Sequence, residues 1–333
     1  MDNAPAETTK APAVSIAPGP HIGGRSFTTR RMMLDVLLAL LPVAVASFLV
    51  FRERALLQMA IGVASALAAE AVFSSMRGRR PTLGDGSAAV TGLILALSLP
   101  ATAPWYVGFV GALSGIGLGK AVFGGLGQNI FNPAMVGRAF VMMAFPQAMA
   151  AGGYIDAQAG VDALTLATPL TALQMGGAVA DLRALFLGTT NGSVGETSAL
   201  ACLVGGAYLC LRRTASWQIP AGVVAAVAAV AGLGRLFGPG GAWTVGHEIC
   251  SGALLFGAFY IATDPVTSPL TPRGKWIFGV GTGLLVMLIR KLSSYPEGVM
   301  FSVLVMNALV PLINRWTIPV PVGGPVPERK RPA

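Results

Sequence analysis

Pro100-Ala101-Thr102-Ala103-Pro104 ends one apolar stretch of this chain, and Pro265-Val266-Thr267-Ser268-Pro269 ends another. The two pentapeptides share a Pro-x-Thr-x-Pro frame, and Gly92 and Gly257 precede them at the same offset. After a short insertion, Trp105, Gly108, Lys120 and Gly127 match Trp276, Gly279, Lys291 and Gly298. Self-similarity of this kind identifies a repeated unit before any single element is assigned.

Around these anchors the chain divides into ten apolar spans, at about 32–51, 55–75, 87–100, 105–122, 132–150, 195–211, 218–236, 247–262, 276–290 and 297–314. A helix that crosses a bilayer needs roughly 20 such residues. The third and eighth spans are short and bounded by proline, which predicts broken or partly re-entrant helices. Irregular backbone persists at membrane depth only where protein or a cavity surrounds it. The repeat relates the third and fourth spans to the eighth and ninth, so its unit is five spans. An odd unit inverts the second copy. The expected fold is an all-α polytopic membrane protein of ten transmembrane helices in two inverted-topology repeats.

Composition agrees with that class. The chain has 54% hydrophobic and 11% charged residues, with a mean hydropathy of +0.68, so an ordinary soluble domain is excluded. Forty-three glycines suit close helix approach in lipid. The net charge of +9 sits in short clusters between spans, which argues for membrane orientation and against a nucleic-acid face. With both termini cytoplasmic, sixteen Lys and Arg fall inside and six outside, while Arg138 lies within the fifth span. The expected setting is a bacterial inner membrane, with this bias fixing the orientation in it. Residues 1–27 are a flexible cytoplasmic tail, 28–150 the first membrane repeat, 151–194 a periplasmic loop, 195–316 the second repeat and 317–333 a cytoplasmic tail.

Metal chemistry has little support. Cys202, Cys210 and Cys250 lie in or beside spans without CxxC spacing, and His247-Glu248 lacks a second histidine at helical spacing. No metal ligand and no catalytic residue is assigned. Gly124-Gly125-Leu126-Gly127 lacks the strand–turn–helix setting of a nucleotide loop and is read as a turn.

The polar interval contains Asp162-Ala163-Leu164-Thr165-Leu166-Ala167-Thr168-Pro169-Leu170. Its Asp-x-x-Ser/Thr-x-Ala-Thr pattern resembles sites where flavin mononucleotide (FMN) is esterified to threonine in membrane redox complexes. Such a phosphoester needs an exposed hydroxyl on extended backbone. Pro169 pushes Thr168 towards that conformation, and Ala167 leaves room beside it. An ordinary Thr-Pro helix start is the alternative. Asp162, Thr165 and Ala167 are the expected cofactor neighbours, and Glu196, on the same side of the membrane, is expected to help seat the flavin. Among charges at membrane depth, Glu70, Asp85 and Asp264 are candidates for an ion path. Snorkelling competes for Glu70, and helix capping for either Asp. Arg138 calls for a carboxylate or carbonyl partner, and Lys120 and Lys291 for lipid headgroups, with a flavin phosphate as the alternative.

Across residues 28–315 the chain resembles the RnfD subunits of the Rnf electron-transport complex, which are relatives of the NqrB subunits of the sodium-pumping NADH:quinone oxidoreductase. The motifs are Thr29-Arg30-Arg31-Met32-Met33, Gly84-Asp85-Gly86-Ser87, Gln128-Asn129-Ile130-Phe131-Asn132-Pro133-Ala134, Gly192-Ser193-Val194-Gly195-Glu196-Thr197-Ser198 and Ala262-Thr263-Asp264-Pro265-Val266-Thr267-Ser268-Pro269. The resemblance puts covalent FMN on Thr168, where this chain has Thr165-Leu166-Ala167-Thr168 in place of the usual Ser-Gly-Ala-Thr. It implies a complex that passes electrons between ferredoxin and NAD while moving sodium or protons. It also implies partner subunits holding the nicotinamide and iron–sulfur chemistry, a flavin transferase for maturation, and a second, noncovalent flavin such as riboflavin. Two other readings remain: a flavin-free solute channel or transporter built on the inverted repeat, and a structural subunit without cofactor.

Overall fold

The computed structural model describes residues 28–78, 83–149, 168–174, 179–237, 243–293 and 297–319, and among these it is helical with no strand. Helix α1 (Thr29–Phe51) starts where the Thr28 hydroxyl accepts from Arg31 N at 3.3 Å. Arg52 alone, at φ +49°, links it to α2 (Glu53–Met76). Helix α3 (Ser87–Leu97) follows a short 3₁₀ turn and Gly86, whose φ of +78° glycine adopts without strain. The third span is therefore short, as expected, but unbroken.

Helix α4 (Trp105–Ile116) runs on through a π turn over Gly117–Ala121. Helix α5 (Pro133–Ala144) is capped by Asn132, whose side-chain oxygen accepts from Ala134 N at 3.0 Å and Met135 N at 3.3 Å. The fifth span ends earlier than its apolar run because Phe145 leaves helical geometry before Pro146, and the short α6 (Pro146–Met149) follows. Two short helices, α7 (Pro169–Gln174) and α8 (Leu182–Leu187), precede α9 (Ala199–Leu211) and α10 (Gln218–Phe237).

The eighth span is broken, as its prolines and glycines predict. Helix α11 (Val245–Cys250) stops at extended Ser251 and Gly252 (φ +63°), and α12 (Leu254–Phe256) passes into a π turn over Gly257–Ile261. Helices α13 (Pro272–Leu292) and α14 (Val299–Thr317) complete the chain. Among the described residues, α1, α2, α10 and α14 are long and apolar enough to cross a membrane, and α3, α5 and α9 are shorter apolar helices. The protein is a helical, multi-pass membrane protein.

Small residues set the helix spacing. A Cβ on Gly62 of α2 would stand 2.6 Å from Gly92 O of α3, so these backbones touch. A Cβ on Gly115 of α4 would stand 2.6 Å from Pro133 O at the head of α5. Without a hydrophobic difference between lipid and leucine, such close packing is what holds helices together in a bilayer. Between the halves, α1 lies along α9, and α5 meets α14. Tyr260 donates to Ala39 O at 3.0 Å. The loop before α9 is stitched to the end of α3 by Val194 N to Leu99 O at 3.0 Å and Gly195 N to Leu97 O at 2.6 Å. Ser47 of α1 donates to Val194 O at 2.6 Å, so Glu196 leaves a rigid turn.

Candidate functional site

Thr168 stands at the head of α7, where its carbonyl accepts from Ala172 N at 2.8 Å. Its Oγ1 accepts from Thr171 N at 3.3 Å and shares a hydrogen bond of 2.9 Å with Thr171 Oγ1. The side chain is buried, at 5% relative exposure. The expected open hydroxyl is thus not what this chain presents: the Thr-Pro pair has started a helix, and capping turns the hydroxyl inward. Asp162, Thr165 and Ala167 lie outside the described residues.

Thr168 borders a cleft of about 280 Å³ of empty space, together with Leu170, Leu185, Glu196, Cys250 and Glu297. Thr168 and Glu196 thus share one cleft. Glu196 is a loop residue, however, and α9 begins only at Ala199, with Ser198 as its cap, accepting from Ala201 N at 3.2 Å.

A buried charge cluster backs the cleft. Arg138 of α5 donates through Nη1 to Glu196 Oε1 at 3.2 Å and through Nη2 to Glu297 Oε2 at 2.8 Å. Arg290 of α13 reaches Glu248 Oε2 at 3.0 Å, Glu248 O at 2.7 Å and Ser251 O at 2.9 Å. Arg290 therefore fastens the break of the eighth span, satisfying carbonyls that the interrupted helix releases. The partner demanded by Arg138 was legible in the sequence, but Glu297, Arg290 and Glu248 were not picked out as site residues. Glu297 is 159 positions from Arg138, and no local pattern links them. His247 is occupied by its Thr244 cap, with Thr244 N to Nδ1 at 3.1 Å. No group of potential metal ligands exists among the described residues.

The ion-path candidates gather elsewhere. Glu70 is buried and its Oε2 accepts from Lys120 Nζ at 2.9 Å. The same ammonium donates to Ser87 Oγ at 2.8 Å, and Asp85 Oδ1 accepts from Ser87 N at 2.8 Å and from Ser87 Oγ at 2.6 Å. Two expectations are corrected here. Glu70 does not snorkel, and Lys120, at 2% exposure, meets no lipid headgroup, because the π turn carries it inward onto Glu70. Lys291, which the sequence comparison pairs with it, is exposed. Asp264 accepts from Val266 N at 3.1 Å and Thr267 Oγ1 at 3.2 Å, so both Asp85 and Asp264 do local capping work. Lys120, Ser87, Asn132, Tyr260 and Asp264 border a cleft with about 720 Å³ of empty space between the halves of the chain. Asp35, which sequence reasoning passed over inside the first span, is buried and receives Thr214 Oγ1 at 3.0 Å and Arg212 Nη2 at 3.3 Å.

A family model described as the NQR2, RnfD, RnfE family matches residues 15–323. A relative from Clostridium ljungdahlii, named as part of a proton-translocating ferredoxin:NAD(+) oxidoreductase complex, is 40% identical over 93% of this chain and 96% of that protein. Its counterpart from Acetobacterium woodii, named as part of a Na(+)-translocating ferredoxin:NAD(+) oxidoreductase complex, is also 40% identical, over 91% and 93%. A component of an ion-translocating oxidoreductase complex from Stutzerimonas stutzeri is 41% identical, over 86% and 89%. With a family match spanning nearly its whole length, the chain belongs to the NQR2, RnfD, RnfE family.

Proposed function

We propose that this chain is the membrane electron-transfer subunit of an ion-translocating oxidoreductase complex, and that it carries FMN esterified to Thr168. The complex couples ferredoxin/NAD redox chemistry to sodium or proton movement, and its other subunits are this chain's partners. A flavin transferase attaches the FMN. The likeness to named components of such complexes supports the assembly.

The observation that carries the flavin reading is the placement of Thr168 on the cleft shared with Glu196. Its surroundings fit a phosphoester. Esterification leaves Oγ1 an acceptor for Thr171 N, and frees the Thr171 hydroxyl to donate to the phosphate. The cleft is far too narrow to enclose a whole flavin, so the redox ring would lie outside it, away from the buried charges. When bound, the flavin supplies the electron transfer, and the chain supplies position and electrostatics. The same reading includes a second, noncovalent flavin such as riboflavin.

The proposed frame is ten spans in two inverted repeats, with both termini cytoplasmic and the Thr168 loop periplasmic. Two correspondences support it: α4 packs on α5 as α13 packs on α14, and α2 packs on α4 as α10 packs on α13. The basic-residue bias supports the orientation.

The test is in-gel flavin fluorescence under denaturing conditions, on protein made with a flavin transferase and its partner subunits. A fluorescent band at this chain's mass, lost in Thr168→Ala, is expected. A dark band from correctly inserted protein would sink the flavin reading and leave a flavin-free transporter or scaffold.

A further inference from the structure

Glu196, Glu297 and Glu248 lie close together with Arg138 and Arg290, so three carboxylates face two guanidiniums. Arg290 is matched by Glu248 at 3.0 Å, and it also faces Glu196 and Glu297 electrostatically. Arg138 spans the other two carboxylates, giving one N–H to each. With every group ionised, the cluster carries one net negative charge. The side chains of Arg138, Glu196 and Glu297 are only 8%, 1% and 16% exposed, so water cannot dissipate it. An uncompensated charge in such a place is strongly unfavourable, and two carboxylates sharing one site respond by keeping a proton.

A second observation points the same way. Glu196 Oε2 is sealed from solvent and makes no hydrogen bond of good geometry, although Oε1 of the same carboxylate is bonded; the polar groups facing the carboxylate are the Glu297 carboxyl and the Ser193 hydroxyl, itself unbonded. A bare carboxylate oxygen in that position is an unmet demand for a proton or a cation. The other titratable groups around the pair cannot meet it. Cys202 of α9 and Cys250 of α11 are free thiols, and Glu248 adds negative charge. His247 has its Nδ1 on Thr244 and its ring against Trp243, with ring centroids 5.1 Å apart.

We propose that Glu196 and Glu297 jointly hold one exchangeable proton, forming a buried proton-binding site on the cleft that Thr168 borders. The site takes a proton because Arg138 already occupies the space between the carboxylates, which a coordinated metal cation would need. Its ligand groups belong to three elements: the loop before α9, the loop before α14, and α5. The cleft beside it joins the site to Thr168. The proposal does not depend on the flavin, since it is argued from the charge cluster and the unbonded Glu196 oxygen alone.

Infrared spectroscopy of the full chain in nanodiscs tests it, without any flavin attached. Wild type minus Glu297→Gln at neutral pH is expected to show one protonated-carboxyl C=O band, shifted by D₂O and absent from the variant. Glutamine leaves Arg138 wholly to Glu196, which then ionises. No such band in either Glu297→Gln or Glu196→Gln differences would overturn the proposal. Should the variants fail to fold, carbodiimide labelling of wild type reads the same state. An adduct on Glu196 or Glu297, with Glu248 spared, is expected. Equal labelling of Glu248, no labelling of the pair, or protection by sodium would each refute a proton site, the last by assigning the position to sodium. Because all these readouts use flavin-free protein, failure here is distinct from failure of the covalent-flavin reading.

Discussion

Replacing Lys120 by methionine tests whether the inner charge pair organises the first half of the chain. Lys120 Nζ lies 2.9 Å from Glu70 Oε2 and 2.8 Å from Ser87 Oγ, and the lysine is 2% exposed. Methionine keeps the stem and its packing but removes the ammonium, so Glu70 loses its buried counter-charge. Removing one partner of a buried pair costs about 3–5 kcal/mol, whereas replacing both by apolar residues of similar size is close to neutral. In a bilayer the unfolded reference also finds partners, which places the expected loss near the lower end, about 3 kcal/mol. Glu70→Met combined with Lys120→Met should recover most of it, leaving the double variant about 2–3 kcal/mol more stable than Lys120→Met alone. The assay is chemical denaturation of wild type, both single variants and the double variant in one detergent, followed by far-UV circular dichroism. A Lys120→Met loss under about 1 kcal/mol, or a double variant no more stable than the single, would refute the reasoning.

The remaining predictions concern separate parts of the molecule. Thr168→Ala should abolish covalent flavin while membrane insertion persists; the lost cap costs about 1 kcal/mol, and retained fluorescence would move the ester elsewhere, to Thr165 or Thr171 first. Glu70→Gln should impair coupled ion transport in the assembled complex more than flavin content, and wild-type transport would reject an ion-path role. Gly62→Leu should collapse folded yield, because even a Cβ there meets Gly92 O at 2.6 Å and Ala96 Cβ at 2.8 Å; a normal size-exclusion profile would contradict the close α2–α3 contact. Arg290→Met should loosen the eighth-span break, releasing Ser251 O and Glu248 O, and raise protease cleavage between α11 and α12 relative to wild type.

By itself the sequence determined the solvent. Apolar runs located the long helices α1, α2, α10 and α14 to within a few residues but overran α5, and proline and glycine at 251–269 foretold the interrupted eighth span. Arg138 announced that a partner must exist, because an isolated guanidinium is too costly at membrane depth. Family membership was also legible, since its motifs are contiguous in the chain.

Three things were decided only by tertiary structure. Lys120 and Lys291 are matched by the sequence self-similarity, yet one is sealed against Glu70 and the other is exposed. Glu297 became a partner of Arg138 only once α5 and the head of α14 met. Thr168, open by its local pattern, turned inward when α7 formed and capped itself. The reason is common to all three. An apolar periodicity tells whether a helix lies in a non-aqueous medium, but lipid tails and protein interior are equally apolar, so the pattern cannot tell which faces meet. Which charges meet is set by where packed glycines let backbones approach, and that is a property of the assembled helices.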